Sequence, residues 1–370
     1  MATSLASTSR RKAQVPVPCY FCKGQEIKWE CKDCDVRMCN SCKVTFHKGL
    51  HSVQDHDVVS IQEMSRLSLG SQEVTFAIIL SIFNSFTTSL PAVHTLLRSG
   101  DDLLYFSSNI KNCKDNQLVK GKLLKPSMLI LQTLKRKMCD IAINKGGDIL
   151  FIEHHDNKIQ MLSSVGEVKT VLDTSPMISV AIHVNKENEV VVGIREQGPP
   201  FPVKNFSVRQ VIIFDSDYTR KVTLEFDKKG KKLFSYALRI RTDSRNFVYV
   251  IDRLDNDNKG RIVAVHRNGR LKFTFDGQPY SETFKPQGIT ITPSNNIVVS
   301  DSGSNALHVL NSNGDLLALQ ILKKDFGIQY PLSLCFDAEG YLLIGCHKGE
   351  NEDYGKIHAV KMVDSLIKYE

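Results

Sequence analysis

The stretch from Pro286 to Ile321 reads PQGITITPSNNIVVSDSGSNALHVLNSNGDLLALQI, four short apolar runs separated by turn formers. The runs at Ile289 to Ile291, Ile297 to Ser300, Ala306 to Leu310 and Leu316 to Ile321 are too short for helices, which predicts four successive strands. Asn313-Gly314 lies between the last two runs, and this pair tolerates the left-handed backbone of a tight hairpin turn. The same rhythm returns at Asp140 to Leu172 and at Ile178 to Phe226, which carries an inserted loop from Arg195 to Ser207. It returns again at Tyr236 to Phe275, closing through Asn268-Gly269, and at Leu332 to Val363; a weaker copy covers Val93 to Leu134. A period of about 40 to 55 residues is that of propeller blades, each a small sheet that cannot bury its faces alone.

The last copy ends on its third strand, Lys356 to Met362, while an unassigned β-rich run, Val74 to Phe83, precedes the first copy. Joining the two closes a ring and removes exposed sheet edges, so Val74 to Phe83 is expected as the missing outer strand. A short buried helix at Phe76 to Phe83 is the competing expectation, because periodicity does not separate the two over so brief a run.

Ahead of the repeats stand Cys19-x2-Cys22, Cys31-x2-Cys34 and Cys39-x2-Cys42, then His47, His51 and His56, so six of the ten cysteines fall in one short stretch. A two-residue gap lets both sulfurs of a pair turn toward one ion, and tetrahedral zinc takes four ligands at about 2.3 Å for sulfur and about 2.0 Å for imidazole. Eight ligands would close two sites, and the nine candidates leave one histidine surplus. Residues Met1 to Arg10 lack the apolar core of a secretory leader, so the cysteines read as metal ligands in a reducing compartment, the cytoplasm, before they read as disulfides.

The cysteine-histidine stretch resembles the B-box zinc finger of the tripartite-motif family, and Pro286 to Ile321 resembles an NHL repeat. The first resemblance implies a cross-brace with two structural zinc ions. One takes Cys19, Cys22, Cys39 and Cys42, and the other takes Cys31, Cys34, His47 and His56. His56 is preferred to His51 because the last ligand of the family sits in a His-x-Val-Val context, and this chain reads His56-Asp57-Val58-Val59. Cys22 and Cys34 stand where many B-boxes carry His and some carry Asp, which exchanges one permitted ligand for another. Together the resemblances imply a mostly β chain: a disordered tail at 1–16, a B-box at 17–60, a short linker or helix at 61–73, and a six-bladed NHL-type β-propeller at 74–370. The RING finger and long coiled coil frequent in that family are not found, since Ile61 to Leu69 allows about two helical turns before Gly70.

A formal charge of +8 favours acidic partners only mildly. Lys228, Lys229, Lys231 and Lys232 form a basic group with Tyr218 and Phe226 nearby, and a second group runs from Lys111 to Lys137. Some NHL propellers of the family bind single-stranded RNA on a basic face, which makes these lysines candidate contacts to RNA or an acidic partner. Asp255 to Gly260 superficially resembles a calcium loop, but Lys259 replaces an oxygen ligand and the twelfth position is His266, so it reads as an exposed turn. The histidines His94, His154, His155, His183, His308 and His358 are scattered and read as structural; Cys113, Cys139, Cys335 and Cys346 lack paired spacing and read as packed thiols. No nucleophile elbow, phosphate loop or paired metalloprotease histidines occur, and no apolar run is long enough to span a membrane.

The expected function is therefore an intracellular zinc-binding adaptor that recognises proteins, without catalysis of its own. RNA binding is the first alternative, and substrate recognition in ubiquitin ligation beside a RING-bearing partner or isoform is the second. Structural zinc in so small a piece is worth about 10–16 kcal/mol, comparable to the whole stability of a domain. A chelator is thus expected to unfold residues 17–60 while the propeller persists; amide signals of 17–60 that stay dispersed in metal-free protein would contradict the assignment.

Overall fold

The computed structural model describes residues 19–24, 27–31, 36–47, 58–60, 78–100, 102–110, 116–124, 127–277 and 284–362. The chain divides into two compact units, Met1–Glu73 and Val74–Glu370. The expected tail at 1–16 and linker at 61–73 lie outside the described residues.

In the first unit, strands Trp29–Cys31, Val36–Met38 and Val58–Ser60 form a small antiparallel sheet with Trp29–Cys31 in the centre. Glu30 and Arg37 face each other across the central pairing and form an ion pair at 2.9 Å. A single helical turn, Asn40–Cys42, follows the second strand, with Cys39 as its N-cap. Among the described residues of this unit, Cys19, Cys31, Val36, Met38 and Cys42 form the buried cluster, and three of the five are cysteines.

Among the described residues the second unit forms six four-stranded antiparallel sheets, the blades of a propeller. Blades 1 to 5 are contiguous, at 95–134, 138–173, 178–224, 237–275 and 286–321. Blade 6 takes Pro331–Phe336, Leu342–Cys346 and Lys356–Met362 from the end of the chain and Ile79–Thr87 from before blade 1. The first strand of each blade lies innermost; each touches the innermost strand of the next blade, and Pro331–Phe336 touches Thr95–Arg98 to complete the ring.

The turn formers have a mechanical role. Asn144, Asn185, Asp243 and Asp337 each use a side-chain oxygen to accept the amide four residues later, at 2.8–2.9 Å, which caps the hairpin between the first and second strands. The residue before that amide has a positive φ and is Gly147, Asn188, Asn246 or Gly340, the types that tolerate it. The hairpin of blade 5 differs from the two-residue turn expected there. It begins at Asn311, whose Oδ1 accepts the amides of Asn313 at 2.8 Å and Asp315 at 3.0 Å, and only Gly314 (φ +91°) takes the left-handed conformation.

Each boundary between consecutive blades holds its own apolar cluster, six in all among the described residues. The closing strand contributes to two of them: Ile78 and Ile79 pack between blades 5 and 6, and Phe86 packs between blades 6 and 1. It runs antiparallel to Lys356–Met362, with Thr87 opposite Lys356 and Ile79 opposite Met362. The strand is therefore Ile79–Thr87, displaced toward the C-terminus from the expected Val74 to Phe83, of which residues 74–77 lie outside the described set. Its extension through Asn84 and Ser85 follows from the length of its partner, because backbone pairing continues where the outward side chains are polar. Gly345 marks the tightest part of the seam; a Cβ there would stand 2.6 Å from Val93 Cγ1 of the blade 1 entry.

The three buried apolar side chains of this segment carry about 1.5–3 kcal/mol each, a large share of the ~5–15 kcal/mol that stabilises a domain. Deletion of residues 78–87 is expected to unfold all six blades together, read as loss of the cooperative thermal transition; a shortened protein that keeps a sharp transition at the original temperature would refute closure by this strand.

Candidate metal centre and channel mouth

Cys19, Cys22, Cys39 and Cys42 converge, with their sulfurs all within 4.8 Å of one another. The local chain explains this. Lys23, at φ +60°, turns the backbone so that Lys23 N donates to Cys19 O at 2.9 Å and Cys19 N to Gly24 O at 2.7 Å, a knuckle that aims both sulfurs one way. The second pair straddles the helical turn, where Cys39 Sγ accepts the Cys42 amide at 3.5 Å and Cys19 Sγ accepts the Cys39 amide at 3.4 Å. Such amide donors stabilise thiolates.

Four sulfurs at about 2.3 Å from a tetrahedral ion lie ~3.8 Å apart, and Cys22 Sγ stands 3.8 Å from Cys39 Sγ. Burial, followed by the neighbouring sulfurs, pushes the Cys42 thiol up to about 12. Four thiolates therefore crowd together favourably only around a cation, and four sulfur donors match zinc. A four-sulfur shell leaves no position for water, which makes the site structural.

Of the second expected set, Cys31 is buried in the central strand, and Cys34, His56 and the side chain of His47 lie outside the described residues, as does His51.

The larger feature of the propeller is a cavity of about 930 Å³ at one end of the central channel. All six blades line it, each through the start of its innermost strand or the loop between its second and third strands. Its floor is crossed by Arg239 of blade 4. Arg239 Nη2 donates to His94 O of blade 1 at 2.9 Å, Nη1 donates to Cys139 O at 3.3 Å, and Asp140 of blade 2 lies 3.6 Å away. Asp140 is buried and accepts the Ile182 amide of blade 3 at 3.0 Å, so this pair ties blades 1 to 4.

Above the floor stand Arg195, Arg253 and Lys348, with Glu350 as the carboxylate of the lining. His94, His154, His155 and His347 join them. His94 precedes blade 1, His154 and His155 belong to blade 2 and His347 to blade 6, so histidines scattered in the sequence meet at one rim. Burial, then Arg239 and His347, hold His94 down to about 3; burial, then Arg195 and Lys137, lower His155. Arg195, Arg239, Arg253 and Lys348 bring positive charge to the mouth, with Glu350 opposing it. Arg195 was missed because it closes an apolar strand, yet a signal exists. Counted from the second-strand starts Val190, Val248 and Ile297, it holds the station of Arg253 in blade 4 and Ser302 in blade 5.

The basic turn lies elsewhere, between blades 3 and 4. Lys228, Lys229 and Lys231 are exposed on a hairpin capped by Asp227, whereas Lys232 Nζ donates to Ser207 O. Phe226 is exposed with Lys232 above its ring at 5.6 Å, but Tyr218 packs into the interface of blades 2 and 3 and does not join it. In the other basic group Lys111, Lys114 and Lys125 lie outside the described residues, and Arg136 pairs with Glu153 at 2.7 Å. Asp255 caps its own exposed turn through the amides of Asp257 and Lys259, as expected. Cys335 and Cys346 are buried, Cys139 lines the cavity, and Cys113 lies outside the described residues. No helix among the described residues is long and apolar enough to cross a membrane.

Residues 14–61 match the B-box zinc finger family. No curated protein matches the chain. Among solved structures, the chain is similar to a calcium-binding protein, regucalcin, from Agrobacterium tumefaciens (TM-score 0.54, 11% identity, 80% of this chain and 98% of that one). It is also similar to a luciferin-regenerating enzyme (0.51, 11%, 77% and 94%) and to virginiamycin B lyase from Staphylococcus aureus (0.50, 14%, 75% and 97%). These likenesses show the propeller fold alone.

Replacing Cys42 by Ala leaves three sulfurs, so bound zinc is expected to fall by about one equivalent per chain with the propeller transition unchanged. Metal analysis showing undiminished zinc in Cys42→Ala would remove these four residues as ligands.

Proposed function

We propose that this protein is a non-catalytic recognition adaptor related to the tripartite-motif proteins with NHL-type propellers. The zinc module is a rigid contact surface, and the propeller is the partner-binding platform. The observation that carries this reading is the closed four-sulfur centre of Cys19, Cys22, Cys39 and Cys42 beside a fold whose channel mouth is lined from every blade. The first fits stapling and not chemistry, because zinc that works on a substrate keeps an open position. The second fits binding, because rigid sheets present loop residues at fixed spacing.

A second zinc ion, held by Cys31, Cys34, His47 and His56, belongs to the same proposal. Its support is that Cys31 pairs directly with Val58, which follows His56 by two residues. Cytoplasmic residence is likewise proposed, on the ground that the described cysteines are free thiols. In ubiquitin ligation the chain would supply substrate recognition to a RING-bearing partner.

RNA binding is the second reading, and exposed Phe226 beside exposed Lys228, Lys229 and Lys231 favours it. Affinity capture on the full chain with and without ribonuclease separates the two. Protein partners that persist after ribonuclease, and in the triple variant Lys228→Glu, Lys229→Glu, Lys231→Glu, are expected. Loss of every partner under both treatments would instead establish the RNA reading.

A further inference from the structure

Building on the recognition reading above, we infer that the channel mouth is a receptor for an acidic peptide segment, whose carboxylates meet Arg195 and Arg253 on the cavity wall. Two guanidiniums from adjacent blades are fixed there by neutral acceptors. Arg195 Nη1 donates to Glu196 O and Gly198 O, both at 2.8 Å, and Arg253 donates to Asp255 O at 2.8 Å and Asn256 O at 2.9 Å. Each bond braces the loop that rises beside its own strand, and none of these acceptors is a carboxylate. No carboxylate among the described residues pairs with either arginine, and neither Nη2 of Arg195 nor Nη1 of Arg253 makes a hydrogen bond there. Arg195 is 3% exposed, and its Nε is buried without an acceptor.

The aromatic packing keeps both cations in position. The Arg195 guanidinium lies 6.0 Å from the Tyr236 ring, that ring lies 6.1 Å from Phe201, and Phe201 lies 5.7 Å from the Arg253 guanidinium. Phe201 comes from the loop inserted in blade 3, which buried Arg209 holds down through Pro200 O at 2.7 Å and Glu196 at 2.9 Å. Burial, then Cys139, raise the Tyr236 hydroxyl, and Arg195, Arg253 and Arg239 act against them.

The repeat itself argues that this charge is not scaffolding. One residue before Arg253 and Ser302, Asp252 accepts the amides of Ser235 and Tyr236 at 2.7 Å and Asp301 accepts the amide of Lys285 at 2.9 Å, a station held in blade 3 by Ile194. Those acids lock the entry to the innermost strand. The next station faces the cavity, takes no part in that lock, and carries Arg195 in blade 3 and Arg253 in blade 4. A preorganised guanidinium fork matches a carboxylate in two bonds, and Lys348 on the rim of blade 6 adds a third cation for a neighbouring acid. The recessed position of Arg195 favours a projecting side chain or chain end over a continuous sugar-phosphate backbone. The two rings beside the arginines are already packed between them and are closed to base stacking.

The test uses the full zinc-loaded chain and a fluorescein-labelled hexaglutamate peptide, read by anisotropy, with hexaglutamine and a single-stranded RNA oligonucleotide as comparisons. Hexaglutamate is expected to bind more tightly than both. Arg253→Gln, and separately Lys348→Gln, should each weaken it about tenfold or more, while Lys169→Gln on an outer strand leaves it unchanged. Arg195→Lys, which keeps the charge and loses the fork, should also weaken it, with the thermal transition confirming the fold. Equal binding of hexaglutamine, stronger binding of the RNA, or an Arg253→Gln protein with undiminished affinity would overturn the inference. Failure of the peptide while ribonuclease-resistant partners are still captured would sink this inference and leave the recognition reading standing.

Discussion

The propeller depends on one backbone pairing, that of Ile79–Thr87 with Lys356–Met362. Five blades are each made from a continuous piece of chain. Blade 6 is different because its strands come from both ends of the unit. Until that pairing forms, two blade faces lack a neighbour and Lys356–Met362 presents an open edge. Once formed, it places Ile78, Ile79 and Phe86 into the two flanking clusters, so hydrogen bonding and apolar burial act in the same step. Such a contact is non-local to an extreme, which delays its formation and makes its loss felt throughout the ring.

Closure also sets what the molecule offers to others. A ring of six inner strands points the same loops toward one end, so a cavity lined from every blade follows from the architecture, and its chemistry follows from local exceptions to the repeat. Arg195 and Arg253, at a station where blade 5 carries Ser302, are one exception, and the loop bearing Phe201 is another. Arg239, reaching over the channel to His94 O, shows how the floor is sealed with charge instead of bulk. The zinc module solves a different difficulty by different means. Its apolar core is too small to hold a fold by burial alone, and sulfur ligation supplies the remainder.

Much of this was legible in the sequence, for reasons that particular residues show. Three of the four strands of blade 5 begin where the apolar runs begin, because alternation and turn chemistry are local signals. The first strand begins earlier, at Pro286, because pairing with Asp301 extends it, a tertiary effect. Blade 1 looked weak for a structural reason. Its outer strand exposes Leu129, Ile130 and Leu131, so the usual inward and outward alternation is absent. The four-sulfur centre could be read because ligand spacing is dictated by the metal. The mouth was harder to read, since Arg195 and Arg253 are matched only once the blade register is known and Lys348 lies outside that match. Tyr218 misled because proximity in sequence to Lys228 says nothing about the hairpin that turns its ring into the core.

The account rests on the six blades opening as one body through the strand that joins their ends. Native-state hydrogen exchange measures this directly. The amides of Ile79–Thr87 that bond to Lys356–Met362 should exchange with the same free energy, and the same denaturant dependence, as inner-strand amides such as Val192, Val250 and Val299. Exchange of those amides through a local opening, orders of magnitude faster than the inner strands and insensitive to denaturant, would contradict it.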